Sequence, residues 1–209
     1  TIDAGEGNVS ISGSNARSIG LGNADQDLDI SSAELGVISA TDLSLGDATT
    51  TAISIDALAA SGTANITGTL ILDASGDNVP VTFENNASTF TAGISLDITA
   101  GNGDVNINEN LTLSGTGAFD LSSTNGDVTI AGTLTTGSGG LAIDPPNTIT
   151  ITGSLSSTGA ISLDANDQIT IGGNVIASDT LSIDSDADST GGGNIQLGSV
   201  TLQSGNAMT

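Results

Sequence analysis

Apolar and small polar residues alternate along much of this chain. In AISLDANDQITIGGNV (residues 160–175), Ile161, Leu163, Ile169 and Ile171 fall on one side of the pattern, and Ser162 and Thr170 on the other. A two-residue period places alternate side chains on opposite faces of a strand, and β-branched residues favour that geometry. Helix signals are nearly absent, because Glu, Lys, Arg and Gln are sparse and Gly interrupts every run. One exception is Leu58-Ala-Ala-Ser61, which predicts a single helical turn.

The pattern repeats. An aliphatic or Phe followed by Asp recurs at Leu28-Asp29, Ile55-Asp56, Leu72-Asp73, Leu96-Asp97, Phe119-Asp120, Ile143-Asp144, Leu163-Asp164 and Ile183-Asp184, a mean interval near 22 residues. In the second half, each marker is followed by a second phrase: Val105-Asn-Ile107, Val128-Thr-Ile130, Ile149-Thr-Ile151, Ile169-Thr-Ile171 and Ile195-Gln-Leu197. A third follows at Leu111-Thr-Leu113, Leu134, Leu155, Val175 and Val200-Thr-Leu202. Each unit thus holds three short strands joined by Gly, Asn, Asp or Ser. A strand this short cannot bury its own face, but three of them around a column can if the next unit stacks below.

The predicted fold is therefore all-β: a parallel β-helix (β-solenoid) with three short strands per coil, about 22 residues per coil and, by the crossover rule, right-handed coiling. Coils about 4.8 Å apart give a rod of roughly nine coils and about 40 Å. We expect residues 1–209 to form a single elongated unit, less regular over 1–93 and more regular over 94–205. An antiparallel sandwich is the competing fold, but it calls for hairpin pairs such as Asn125-Gly126 between every two strands. Asp164 and Gly172-Gly173 are read as corner residues, and Pro145-Pro146 as a forced extended corner. The rhythm loosens over 74–93, the best place for an inserted binding loop. Both ends of such a rod are expected to expose strand edges, predicting end-to-end or lateral self-association into filaments.

Composition then narrows the function. The 209 residues carry one cation (Arg17) against 24 acidic residues, a net charge of −23, with no His, Cys, Trp or Tyr. That balance argues against nucleic acid and anionic membranes, which need Lys and Arg to meet phosphate. No apolar run reaches the length of a membrane-spanning helix, so membrane insertion is not expected. The first residues lack the charged and apolar segments of a signal peptide. Because the chain begins mid-pattern without Met, it reads as a processed product or an excised piece. The absence of Cys removes a disulfide framework. The Gly-, Ser-, Thr-, Asn- and Asp-rich composition fits an exported bacterial surface protein.

The segment SSAELGVISATDLSLGDATTTAISIDAL (31–58) and the repeats of 94–205, with GDVTIAGTLTTG and DQITIGGNVIASDTLSID, resemble filamentous-haemagglutinin-like exoproteins and giant bacterial β-repeat adhesins. The resemblance lies in repeat style and covers most of the chain. It implies a shaft region, an extracellular or cell-surface location and no enzymatic activity. The family's NPNG- or NPNL-like secretion motif has no counterpart here, since NENL (108–111) is no substitute, and there is no Arg-Gly-Asp.

Candidate chemistry is sparse. Nucleophile–base pairs of the Ser-His or Cys-His type cannot be built. A carboxylate-only polysaccharide hydrolase is a remote alternative. Asp184-Ser-Asp186-Ala-Asp188 has spacing that hard cations favour, so Asp184, Asp186 and Asp188, together with Asp25 and Asp27, are candidate calcium ligands; no other cofactor is expected. Asp25, Asp27 and Asp29 are read as alternating on one strand. The competing reading is solvated turn carboxylates that bond their own backbone. Stacked coils would align Asp144, Asp164 and Asp184 in a ladder. Asn106, Thr129, Thr150 and Thr170 would align as an outward column, the pattern of an ice-binding face. Phe83, Phe90 and Phe119 are read as core fillers. Arg17 would pair with Asp25 or Asp27, or lie exposed. The leading expectation is a structural stalk; the alternative is a solenoid module that contacts a host or neighbouring-cell glycan or protein.

Overall fold

The computed structural model describes residues 1–144, 146–189 and 191–209. Among them the chain winds as a β-solenoid of about seven turns and about 23 residues per coil. All strand pairings among the described residues are parallel, as expected for coils that stack. Face one holds eight strands, from Val9–Ile11 through Thr69–Ala74 and Phe119–Ser123 to Leu181–Asp184. Face two holds nine, from Ile19–Gly22 and its outer neighbour Leu28–Ile30 to Asn194–Leu197. Face three holds six, from Ser88–Thr89 to Leu202–Ser204. The short pair Ile2–Asp3 and Ile38–Ser39 takes the same third position at the N-terminal end.

Alternation sets which side chains enter the column. In Thr148–Ile151, Ile149 and Ile151 are buried and Thr150 is half-exposed. The second phrase stacks as read: Val105, Val128, Ile149, Ile169 and Ile195 are neighbours in register. So are Leu163 and Ile183. Phe83, Phe90 and Phe119 are all buried in the core. On face three, Leu202 rather than Val200 continues the column of Leu155 and Val175.

The Asp markers are not all in one register. Leu96-Asp97 pairs with Leu70-Ile71 and with Phe119-Asp120, whereas Leu72-Asp73 pairs with Ile98-Thr99. A face-one strand offers two outward positions two residues apart, and Asp uses either. Asp97 and Asp120 form one outward column. Asp164 and Asp184 belong to the other. Asp164 is the last residue of the strand Ile161–Asp164, not a corner residue. Gly172 and Gly173 do lie at a corner.

That corner explains a glycine column. A Cβ on Gly173 would sit 1.4 Å from the Gly153 carbonyl oxygen, and one on Gly153 would sit 1.8 Å from that of Gly132. The backbone of one coil rests directly on the next there, so any side chain would push the coils apart.

Coil length falls along the chain. Successive face-one positions Val9, Leu43, Leu70, Leu96, Phe119, Leu141, Ile161 and Leu181 are 34, 27, 26, 23, 22, 20 and 20 residues apart. The longest coil contains the true insertion. After Ile19–Gly22 the chain doubles back within five residues and lays Leu28–Ile30 parallel to it. This return needs Gly20, where a Cβ would meet the Ala24 carbonyl oxygen at 2.5 Å. A one-turn helix, Ser32–Leu35, follows, closed by a capping box between Ser31 and Glu34. It packs beside the 3-10 turn Ala60–Thr63, which sits two residues beyond the turn expected at Leu58–Ser61. The segment 74–93 is not an insertion: it contributes the strands Val81–Phe83 and Ser88–Thr89 to an ordinary coil. Of the expected Pro145-Pro146 corner, Pro145 lies outside the described residues.

Candidate functional site: an acidic, Asn-rich edge

The carboxylates are not spread evenly. From Thr69 onward, face one and the corner that leads to face two carry Asp73, Asp77, Asp97, Asp104, Asp120, Asp127, Asp144, Asp164, Asp167, Asp184, Asp186 and Asp188. The other two faces and corners carry only Glu84, Glu109 and Asp179. One edge of the solenoid is therefore strongly negative.

Along this edge, side chains bond from coil to coil. The Asn102 amide Nδ2 donates to Asp77 Oδ1 at 2.6 Å, and Asn125 Nδ2 donates to Asn102 Oδ1 at 2.8 Å. The Asp127 N–H donates to Asp104 Oδ1 at 3.0 Å. Asp127 Oδ1 in turn accepts from Asn147 Nδ2 at 3.2 Å and Thr148 Oγ1 at 2.8 Å. Stacking explains the pattern: each carboxylate or amide meets its counterpart one coil away. A shallow groove of about 210 Å³ opens here, lined by Asn78, Pro80, Asn102, Gly103, Asp104 and Asn106. The irregular segment 74–93 supplies its first two residues.

On face one, two carboxyls are held above the usual range. Partial burial raises Asp97, and its neighbour Asp120 adds to the effect. Asp164 is raised first by burial and further by Asp144 and Asp184, against a hydrogen bond that Ser162 Oγ donates at 3.0 Å. The Asp144–Asp164–Asp184 ladder expected from the repeat is thus present electrostatically.

The candidate calcium ligands do not converge. Asp184 Oδ1 accepts the Asp186 N–H at 3.0 Å, and Asp186 Oδ1 accepts the Gly191 N–H at 3.0 Å. These are carboxylates turned onto local backbone. Asp188 is exposed in the same turn. Asp25 and Asp27 lie in the return loop before Leu28–Ile30, so they do not alternate with Asp29 along one strand. The Ser18 N–H and hydroxyl hold Asp27 below the usual carboxylate range, with a smaller pull from Arg17, whose side chain is exposed. Among the described residues, no group of three or more acidic side chains is placed to hold a metal ion.

Thr82, Asn106, Thr129, Thr150 and Thr170 stack in register on face two. The column is one Thr wide. The outward positions two residues before them are Pro80, Asp104, Asp127, Thr148 and Gln168. Sequence reasoning missed the coil-to-coil Asn and Asp bonds, although Asn102 and Asn125 recur 23 residues apart, a signal that was available.

These features define a β-solenoid with a polarised charge distribution. Comparison with family models, curated proteins and solved structures returns no match to this chain. Among the described residues, no helix is long and apolar enough to cross a membrane.

Proposed function

We propose that this chain is a structural spacer, a shaft segment of a secreted or surface-attached bacterial adhesin or matrix fibre. The observation that carries the reading is the unbroken parallel, in-register stacking of coils. In such a stack, length grows by about 4.8 Å for each coil added, whatever the outward side chains are. The outward residues are mainly Ser, Thr, Asn and Asp, which keep the sides of a rod wet. The acidic edge adds mutual repulsion between rods. The repeat-style resemblance of residues 31–58 and 94–205 supports the same reading. Immunogold labelling of intact source cells with antibody raised against this chain tests it. Label on the surface or on extracellular fibres is expected, and label confined to the cell interior contradicts the reading.

The groove at Asn78, Asn102, Asp104 and Asn106 favours a second reading, a module that contacts the hydroxyls of a glycan through amides and a carboxylate. A glycan array probed with the chain and with Asn102→Ala separates the two. Retained sugar signal that the substitution abolishes would favour the binding module.

A further inference from the structure

The two ends of the solenoid carry complementary steps. At the C-terminal end, faces two and three stop at Asn194–Leu197 and Leu202–Ser204. Face one runs one level further: Met208 bridges Leu181, and the Ile183 N–H donates to the Thr209 carbonyl at 3.1 Å. At the N-terminal end the pattern inverts. Face one stops at Val9–Ile11, while face two continues to Leu28–Ile30 and the third side to Ile2–Asp3. One end thus lacks the two strands that the other has in excess. The exposed apolar residues lie at these steps: Ile195 at 43%, Leu197 at 49% and Met208 at 51% at one end, and Ile2 at 48% at the other.

We propose that two copies of this chain dock head to tail, completing one shared coil. Residues 207–209 of one copy supply its first face, and Leu28–Ile30 and Ile2–Asp3 of the next supply the other two. The face-two register fixes the contacts. Ile19 pairs with Leu28, and Ile195 is the last residue of that same column, so Leu28 stacks on Ile195, Ile30 on Leu197 and Asp29 beside Gln196. Docking covers Ile195 and Leu197 by extending the sheet and core they already belong to, and it pairs two free strand edges.

Charge agrees at one corner. Arg17, the only cationic side chain, is exposed at the N-terminal end on the corner between faces one and two. Asp184 and Asp186 lie at that corner on the last coil. Docking brings the guanidinium within two coil spacings of them, about 10 Å. The net charge of −23 on each copy opposes approach, so association strengthens as salt screens it. The contact is heterologous and does not close on itself, so it propagates into a filament. The inference deepens the shaft reading but rests on it only for biological setting.

Sedimentation velocity of the 209-residue chain, from low salt to about 0.5 M NaCl, tests the association, since screening is nearly complete at the upper limit. Salt-promoted species larger than dimers are expected. The double variant Ile195→Asp, Leu197→Asp changes exposed positions and keeps the native melt, and its association is expected to weaken at least tenfold. Arg17→Glu weakens association by a smaller factor. Because the chain has no Cys, mixing Asp29→Cys with Gln196→Cys under oxidation should give a mixed disulfide dimer, with little dimer from either variant alone. A monomer at every salt concentration, unweakened association of the double variant, or no mixed disulfide overturns the proposal. A failure of cell-surface labelling leaves these outcomes unchanged.

Discussion

At the scale of single residues, the column is apolar with few exceptions, and the exceptions make testable statements. Thr136 is buried, and its hydroxyl has no hydrogen-bond partner among the described residues. A buried, unsatisfied hydroxyl costs free energy that an isosteric methyl does not. Thr136→Val should therefore stabilise the fold by about 1 kcal/mol, read from the denaturation midpoint. Asp97 makes the converse point. Its carboxyl is raised, so the folded state binds its proton more readily than the unfolded state does. Stability from this group therefore rises as pH falls from neutrality through the raised value toward 3.8, the ordinary Asp value. Asp164 acts in the same direction. Asp27, Glu34 and Asp47 act in the opposite one: hydrogen bonds lower them, and their contribution is lost as pH falls below their ordinary values of 3.8 and 4.5. The melting temperature should climb from pH 7 to about pH 5 and then fall in stronger acid. Asp97→Asn should raise stability at pH 7 by about 0.5 kcal/mol, by removing a like-charge neighbour of Asp120, and should flatten the climb.

At the scale of the element, what the sequence makes legible is the strand and its stacking partner. The Val105, Val128, Ile149, Ile169 and Ile195 column could be read because β-branched pairs recur at near-constant spacing, with one polar residue between them. The Asp markers misled by two residues at Leu96-Asp97, because a two-residue period cannot distinguish adjacent outward positions on one strand. The first coil was not legible. Its 34 residues hold a strand that returns onto its neighbour, and a return of that kind depends on the close approach over Gly20, not on any apolar period. The helix Ser32–Leu35 was signalled by Ser31 and Glu34 at capping-box spacing, but it is too short for periodicity to register. In the candidate site, the Asp ladder was foreseen. The coil-to-coil Asn bonds were not, because they require knowing which corners touch. The corners themselves are the most sensitive elements. Gly153→Ala should destabilise by about 2–3 kcal/mol, because its methyl strikes the Gly132 carbonyl and the backbone there cannot step aside. Urea denaturation of the two chains measures the difference.

At the scale of the whole molecule, one apolar column is opposed by a one-sided charge. Twelve carboxylates of the later coils share one edge, so folding concentrates negative charge that the unfolded chain disperses. Added NaCl should raise the melting temperature. Millimolar calcium at matched ionic strength should raise it no further, since no three acidic groups converge among the described residues. The same field opposes head-to-tail docking, which is why salt should promote both stability and association.

The central claim is that successive repeats stack in register along one axis. Spin labels placed through Cys at Thr82 and at Thr150, Thr170 or Gln196 measure this directly, since the chain has no native Cys to interfere. These positions share one outward column on face two, three, four and five coils from Thr82. Pulsed electron–electron resonance should give separations that grow in equal steps, about 14, 19 and 24 Å before allowance for the label arms. Distances that do not increase in this order, or that cluster at one value as in a folded-back antiparallel sandwich, would contradict the account.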